Sequence, residues 1–155
     1  MHPIDLHTHS TKSDGTYTPT ELVHYAARKG LSAIALTDHD TIAGVEEAMK
    51  AADDLRQEKA SGMISSPVIR SVPEVIPGVE LSTELNGKSI HVVGLFIDYK
   101  NRAFSERMKE FLDSRFYRNR KMCRLLTEGG YPVSYGELEK LFPNTVIARD
   151  RKSVV

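Results

Sequence analysis

The sequence predicts an α/β fold, and two features of its N-terminal part carry that prediction. Two short apolar runs, residues 3 to 7 and 33 to 37, are each followed by polar turn-forming residues, a pattern typical of buried strands. The segment between them has the start and stop signals of one helix, so the three together predict a β-α-β unit. Further along, Asn86-Gly87 separates two runs rich in β-branched residues, and this dipeptide is the strongest short-range signal for a β-hairpin.

The helices are predicted from their capping residues. Thr18 is the predicted N-cap of the first helix, with Pro19 in its first turn, Glu21 completing a capping box and Gly30 ending the helix. A second helix is predicted over residues 42 to 58.

Further helices are predicted in the C-terminal part. A loop is expected over 60 to 71, and a long basic helix over 101 to 128. Ser134 and Glu137 predict a second capping box, which would start a short helix that runs through Leu141.

Composition and charge narrow the classes of protein to which the chain can belong. Its 155 residues are 40% hydrophobic and 27% charged, as in one soluble globular domain. Lysine and arginine number 21, as do aspartate and glutamate, so no overall charge draws the chain to nucleic acid or an anionic membrane. Without an apolar run of membrane-spanning length or a signal-peptide pattern, we expect a cytoplasmic protein. Its one cysteine, Cys123, is expected to be a small core residue.

Histidines and carboxylates gather where the predicted strands end. Because alternate residues of a strand point the same way, Asp5, His7 and His9 are expected to project on one side. Asp14 follows in a polar loop that can fold back beside them. His39 lies at the carboxyl end of the second strand, where α/β enzymes build their sites. The sequence therefore predicts that three histidines converge on one rim.

The hairpin adds a carboxylate and a fourth histidine. With Asn86-Gly87 as the turn, Ser82 faces His91, which makes Glu80 a diagonal neighbour of His91 on one face, about 7 Å away at Cα. Glu80 also lies in an apolar run, where an ionised carboxylate is costly unless it is paired or coordinated. This spacing is what a shared metal ion would need.

Each feature alone has a simpler explanation. The histidine pair at 7 and 9 could be surface or hydrogen-bonded residues, and Asp38 and Asp40 could cap the following helix. His24 lies in mid-helix and His2 near the terminus, and neither is expected to have a role. The conjunction of the other groups at strand ends has no common structural explanation, so we predict metal binding.

Four stretches of the sequence together resemble the PHP family, the polymerase and histidinol phosphatase metal-dependent phosphoesterases. They are, in order, DLHTHSTKSDGTYTP, ALTDHDTIAG, PGVELST and HVVGLFID. The similarity is strongest to the stand-alone bacterial branch that hydrolyses nucleotide phosphates or trims short RNA ends. It implies the N-terminal part of a distorted (β/α)7 barrel. Residues 1–100 would form the first half of the barrel, and residues 101–149 a helical insertion that begins a lid subdomain.

The resemblance also implies a site for up to three divalent ions, of Mn, Fe or Zn. The implied metal ligands are His7, His9, Asp14, His39, Glu80 and His91. His7 and His9 would bind the first ion, and His91 the second. Glu80 would bridge these two ions, and Asp14 with His39 would hold the third. The catalytic role falls to Glu80 and His39.

The implied function is hydrolysis of nucleotide or short oligonucleotide phosphate esters through a metal-bound hydroxide. The partner would be a small phosphorylated substrate, a nucleotide or a short RNA end, with no membrane and no stable nucleic-acid partner. The long helix carries a basic run made of Arg115, Arg118, Arg120, Lys121 and Arg124. The run is either a solvated face or a lid that touches an anionic substrate, and Arg118 and Arg120 are its candidate contacts. Two alternatives are a non-catalytic metal-binding PHP module and a phosphatase of the histidinol phosphate type.

The ligand set implied by the resemblance is incomplete. The family pattern needs a further mid-protein histidine and a late Asp/His pair, yet no histidine follows His91. We therefore expect the front part of a longer protein, inactive by itself and poorly stable because strand edges would be uncovered. Residues Asp150–Val155 resemble the one-frame translation of a short-read sequencing adapter, and we interpret 150–155 as a non-native tail. Native codons that continue past Asp150 in the source DNA would contradict this.

Overall fold

The computed structural model describes residues 3–63 and 69–143. The C-terminal tail at 150–155, residues 144–149 of the predicted insertion, and His2 lie outside the described residues. The elements, in chain order, are β1 (Ile4–Thr8), α1 (Pro19–Lys29), β2 (Ala33–Leu36), α2 (Val45–Ala60), β3 (Glu74–Leu85), β4 (Lys88–Leu95), α3 (Arg102–Glu128) and α4 (Tyr135–Leu141).

The strands form one sheet in the order β1-β2-β3-β4. β1, β2 and β3 are parallel, and β4 is antiparallel to β3. Helices α1 and α2 pack together over β2 and β3 and enclose the main core, whose buried members are Val23, Ala26, Ala27, Ile34, Leu36, Ala48, Ala51, Ala52, Leu55 and Val75. The predicted α/β class and its first β-α-β unit are confirmed.

Helix α1 has the ends that its sequence predicts. The backbone N–H of Glu21 donates to the Thr18 hydroxyl, and the Glu21 carboxylate accepts from the backbone N–H of Thr18, which completes the capping box. Gly30 closes the helix in the left-handed conformation, with φ of 80°. Helix α2, in contrast, starts three residues later than predicted, at Val45, because residues before it make a turn in which Val45 N–H donates to the Ile42 carbonyl.

Two local predictions are wrong. β1 is not a buried strand: most of it is exposed, and Ile4 retains 57% of its accessible surface, because β1 lies at the edge of the sheet with β2 as its neighbour. Ser134 does precede α4, but its side chain makes no capping hydrogen bond. Its backbone carbonyl accepts instead from the N–H groups of Glu137 and Leu138, so the second capping box does not form.

The hairpin between β3 and β4 has the predicted register. Asn86 and Gly87 have φ of 52° and 76°, the combination that a tight type I′ turn requires. Ser82 therefore faces His91, and Glu80 faces Val93. β3 pairs with β2 over its first residues and with β4 from Gly78 onward, so Glu80 lies just past the point where the strand changes partner.

The last two helices pack against each other around a second, smaller core cluster. Cys123 of α3 is buried against Leu138 of α4, in agreement with its prediction as a core residue. Met108 is also buried on α3. Among the described residues, no helix combines the length and apolar character needed to cross a membrane.

Candidate metal centre

Six side chains predicted as metal ligands meet at the carboxyl ends of β1 and β2. Because β1 and β2 are parallel, the segments that follow them emerge at the same edge of the sheet. His7 is near the end of β1, His9 follows it, and His39 follows β2. β3 brings Glu80 to this edge of the sheet, where Glu80 pairs in parallel with His39.

Glu80 lies at the centre of the cluster. Its Oε2 is 3.2 Å from His7 Nε2, 3.2 Å from His9 Nε2 and 3.3 Å from His39 Nδ1. Its Oε1 is 2.6 Å from Nδ1 of His91, which reaches across from β4. The carboxylate is almost fully buried, with 5% of the residue exposed. Four imidazoles therefore surround one buried carboxylate.

Asp14 joins two of these imidazoles from the other side. Its Oδ1 is 3.3 Å from His9 Nδ1, and its Oδ2 is 3.4 Å from His39 Nε2. The predicted folding back of the loop after β1 is thus present. Asp5, which was expected to project with the histidines, accepts instead a hydrogen bond from the backbone N–H of His7 at 3.2 Å.

The six residues form three overlapping groups, and within each group one ligand atom from every residue lies within 4.8 Å of the others. The groups are His7–His9–Glu80, His9–Asp14–His39 and His39–Glu80–His91. Glu80, His39 and His9 each belong to two groups. The geometry can therefore accommodate up to three positions for ions that share ligands.

The charges in the cluster favour ionised carboxylates. Hydrogen bonds from His39 and His9 hold the pKa of Asp14 far below its usual range. Burial raises the pKa of Glu80, but the hydrogen bond with His91 and the neighbouring imidazoles outweigh it, so the net pKa is lowered. Both carboxylates can thus act as anionic ligands near neutral pH.

The pKa of His9 moves in the opposite direction. Burial lowers it, but the hydrogen bond and charge of Asp14, together with the charges of Glu80 and Asp38, raise the net pKa above its ordinary value. A proton on this imidazole is therefore held by the same carboxylates that would face a cation. A metal ion would have to displace that proton.

The donor set fits divalent metal ions. Nδ1 of His39 is buried and makes no hydrogen bond among the described residues, although Glu80 lies at ion-pair distance. The imidazole rings stand in a row, with centroids 5.0 Å apart for His7 and His9, and 4.7 Å apart for His9 and His39. Converging imidazole nitrogens and carboxylate oxygens are ligands that suit Mn²⁺, Fe²⁺ and Zn²⁺. Glu80 Oε2 faces nitrogens of three rings and cannot satisfy all of them. A divalent ion would give these nitrogens a further partner.

Asp38 supports the loop that carries Asp14, a role that the sequence did not reveal. Its carboxylate accepts from the backbone N–H and hydroxyl of Ser10, both at 2.7 Å, and from the Ser13 hydroxyl at 2.6 Å. All three residues are buried. Gly15 is also required, because a Cβ there would lie 2.2 Å from the loop's own backbone oxygen at position 9. Short-range capping statistics favour Asp38 as a helix cap, and only the folded loop shows its real partners.

Asp40 pairs with an arginine of the distant helix α3. Arg115 Nε donates to Asp40 Oδ2 at 2.7 Å, and its Nη2 donates to Ser82 Oγ at 2.7 Å. Arg115 belongs to the basic run that was expected to be a solvated face or a lid. Its burial shows that one member of the run has a structural partner, which no local sequence pattern indicates.

The two predicted substrate contacts lie in different places. Arg118 lines a small cavity of about 50 Å³ together with Asp40 and Ser82, next to the candidate centre. Arg120 stacks on Phe116, with its guanidinium carbon 5.3 Å from the ring centroid, and lines a cavity between α3 and α4 that contains none of the six candidate ligands. The structure therefore does not bring Arg120 into the cluster, because it points to the α4 side of α3.

The relatives of this chain among known proteins include two enzymes named for reactions on RNA or nucleotide phosphates. The chain is 39% identical over 131 residues to a 5′-3′ exoribonuclease of Haemophilus influenzae, an alignment that covers 84% of this chain and 42% of that protein. It is 36% identical over 130 residues to a 3′,5′-nucleoside bisphosphate phosphatase of Chromobacterium violaceum, with 84% of this chain and 40% of the relative covered. The chain thus spans about two fifths of the length of these phosphoesterases.

The fold is also similar to that of a solved structure, a predicted metal-dependent phosphoesterase from Bifidobacterium adolescentis. The TM-score is 0.76 at 25% identity, and the match covers 97% of this chain and 48% of the other. This agrees with the expected partial barrel and supports divalent metal ions as cofactors. The family model described as the PHP domain matches residues 5–148. A match over nearly the whole chain means that the chain belongs to the PHP domain family.

Proposed function

We propose that this chain provides the metal-binding part of an enzyme that hydrolyses nucleotide or short oligonucleotide phosphate esters. The observation that carries the proposal is the convergence of four imidazoles on the buried carboxylate of Glu80. The relatives supply the reaction class, because both are named as enzymes that act on phosphate esters of nucleotides or RNA.

The candidate ligands would have different roles in metal binding and catalysis. The ionised Glu80 presents Oε2 to His7 and His9 and Oε1 to His91, an arrangement suited to a carboxylate that bridges two ions. Asp14 and His39 would hold a third position. Bound divalent ions supply an activated water at neutral pH and neutralise charge on the phosphate oxygens. We assign the catalytic role to Glu80 and His39, the two residues to which the family resemblance gives it; each belongs to two of the groups, as does His9.

The substrate would be held locally, since the chain has no net charge to attract a polyanion from a distance. Arg118 is the better placed of the two predicted contacts, because the cavity that it lines adjoins Asp40 beside the cluster. A guanidinium there suits a phosphate group of the substrate. Nucleotides and short RNA ends are therefore the proposed substrate class, with Mn²⁺, Fe²⁺ or Zn²⁺ as the proposed metal.

The test is an activity assay on the protein encoded by the longest reading frame that contains this chain. The purified protein is loaded with Mn²⁺ and given nucleoside 3′,5′-bisphosphate, short 5′-phosphorylated RNA and histidinol phosphate in parallel. We expect phosphate or nucleotide release from the first two substrates, and its loss after treatment with a chelator. A preference for histidinol phosphate would contradict the substrate class. Bound metal without hydrolysis of any substrate would instead indicate a non-catalytic metal-binding module.

A further inference from the structure

Helix α3 binds two residues beside the candidate metal centre through a buried arginine. Arg115 is 7% exposed, and its Nε and Nη2 lie 2.7 Å and 2.6 Å from Asp40 Oδ2. The same Nη2 donates to Ser82 Oγ at 2.7 Å. A buried guanidinium loses its hydration, which is tolerated only where geometry and hydrogen bonds compensate. The position of this side chain is therefore tightly specified.

Asp40, the partner of Arg115, is itself held in an unusual conformation. Its φ of 53° lies in the left-handed region, which residues other than glycine seldom adopt. Its backbone N–H donates to the Glu80 carbonyl at 2.9 Å, and its Oδ1 accepts from the backbone N–H of Ser82 at 2.6 Å. A residue keeps such a conformation only where the surrounding structure fixes it, and residues of this kind cluster at functional sites. Asp40 thus joins the end of β2 to β3.

The two residues that Arg115 holds are adjacent to candidate ligands. Asp40 directly follows His39, and Ser82 is the cross-strand partner of His91. Between them, β3 presents Glu80, which pairs with His39 in the sheet. Arg115 therefore holds one neighbour of His39 and one neighbour of His91, on two sides of the His39–Glu80–His91 group. The hydrogen bonds of Asp38 go instead to the loop that carries Asp14.

We propose that Arg115 is a positioning residue for the His39–Glu80–His91 group, an inference that rests on the proposed metal centre. The guanidinium presents several donors in a fixed fork, so it can hold Asp40 and Ser82 at once. A lysine at this position keeps the charge but offers a single ammonium on a flexible stem, and it cannot reproduce both contacts. Docking of α3 and occupancy of this metal position then favour each other, because coupling between two sites is reciprocal.

The test uses Co²⁺ as the probe, with binding followed by its visible absorption and by metal analysis of the 155-residue chain. Arg115→Lys is compared with Arg107→Lys, the same change at an exposed position of α3 where the side chain pairs with Glu110. We expect Arg115→Lys to weaken one class of bound Co²⁺ by about 10–100-fold, the usual effect of residues behind metal ligands. The Arg107 variant and the helical circular dichroism of both variants should match the wild type.

The same substitution in a His91→Ala variant shows which metal position Arg115 supports. In His91→Ala, where the affected group has already lost a ligand, Arg115→Lys should cause no further change in Co²⁺ affinity or spectrum. An equal loss in both backgrounds, wild-type binding by Arg115→Lys, or loss of its helical signal would each overturn the positioning role. A wild-type chain that binds no Co²⁺ would overturn the metal centre itself, and so the two failures are distinguishable.

Discussion

Metal binding by this cluster depends on single residues, and we expect Glu80 to contribute most to it. Its two oxygens face imidazoles on different sides, and its burial leaves little water to replace them. Burial alone would favour the neutral acid, yet the net pKa is lowered, because His91 and the other imidazoles favour the charged form. The carboxylate is thus an anion in a place where an anion needs cationic partners.

Replacing Glu80 by glutamine should therefore remove metal and activity together. The amide keeps the shape of the side chain but lacks the charge and cannot bridge two cations. In the protein encoded by the longest reading frame that contains this chain, we expect Glu80→Gln to lower the proposed phosphoesterase activity by more than about 100-fold and to reduce bound metal. The matched control is His24→Ala on α1, a histidine that is in none of the three ligand groups. It should leave both quantities nearly unchanged, and normal activity in Glu80→Gln would contradict the assignment.

Asp38 supports the loop that carries the candidate ligand Asp14, so its loss should lower the stability of the fold and weaken metal binding. It is buried and accepts three hydrogen bonds from Ser10 and Ser13. Hydrogen bonds to a charged group contribute about 1.5–3 kcal/mol, and buried donors left without an acceptor add a penalty. We expect Asp38→Ala to lower the free energy of unfolding by about 2–4 kcal/mol and to weaken metal binding, as measured by urea denaturation and metal titration.

The control for Asp38→Ala is Asp53→Ala on α2. That carboxylate is exposed and pairs with Arg56 one helical turn away. Exposed pairs contribute less than about 1 kcal/mol, so the variant should be close to the wild type. Equal stability losses at the two positions would mean that Asp38 has no special structural role.

At the scale of elements, short-range signals predicted the structure well where the local sequence determines it. The capping box of Thr18 and Glu21, the end of α1 at Gly30 and the hairpin turn at Asn86-Gly87 all depend on residues a few positions apart. Because the turn fixed the register, the meeting of Glu80 and His91 could also be predicted.

Features that depend on distant residues could not be predicted in this way. The exposure of β1 follows from its place at the sheet edge, which the apolar run alone does not reveal. The partner of Asp40 is Arg115, 75 positions later in the chain, and the hydroxyls bound by Asp38 belong to a loop 25 to 28 positions earlier. Residues that hold ligands in place have no fixed spacing from them, so a motif identifies the ligands and misses their supports.

Helix α1 offers a test of its capping box that depends on pH. The backbone N–H and hydroxyl of Thr18 lower the pKa of Glu21 in the folded chain. A carboxylate whose folded pKa is lowered stabilises the fold above its unfolded pKa, and this contribution is lost as pH falls through the folded value. We therefore expect Glu21→Gln to have a lower melting temperature than the wild type at neutral pH. This difference in melting temperature should narrow at acidic pH. Glu84→Gln, an exposed change on β3, should show a smaller difference, and a Glu21 difference that is constant with pH would contradict the mechanism.

At the scale of the whole molecule, apolar side chains remain exposed on the outer strands. Those of β1 and β4 and the segment after β4 are Ile4, Leu6, Ile90, Val92, Val93 and Phe96. Apolar surface of this kind on edge strands favours association and lowers stability. Poor stability of the chain therefore stays a prediction, and a cooperative, protease-resistant fold would contradict it.

Metal ions should offset part of the predicted low stability, because the candidate ligands come from separate parts of the chain. His7 and His9 are at the end of β1, His39 follows β2, and Glu80 and His91 belong to the hairpin, so each ion would tie two of these segments together and the set of ions all three. A ligand present at about 100 times its dissociation constant adds about 2.7 kcal/mol to the free energy of unfolding. For a chain of this size that corresponds to a melting temperature higher by about 5–10 °C.

We expect Mn²⁺ to produce this shift and a chelator to reverse it, with the melt followed by circular dichroism. The shift should shrink as pH falls below about 6.5, because protons compete with the ion for the imidazoles. His9, whose pKa is raised, should be among the first to lose its metal on acidification. In Glu80→Gln the shift should be much reduced. An equal shift in that variant would mean that the ions which stabilise the chain bind outside the Glu80 cluster, even if the fold and the family are unchanged.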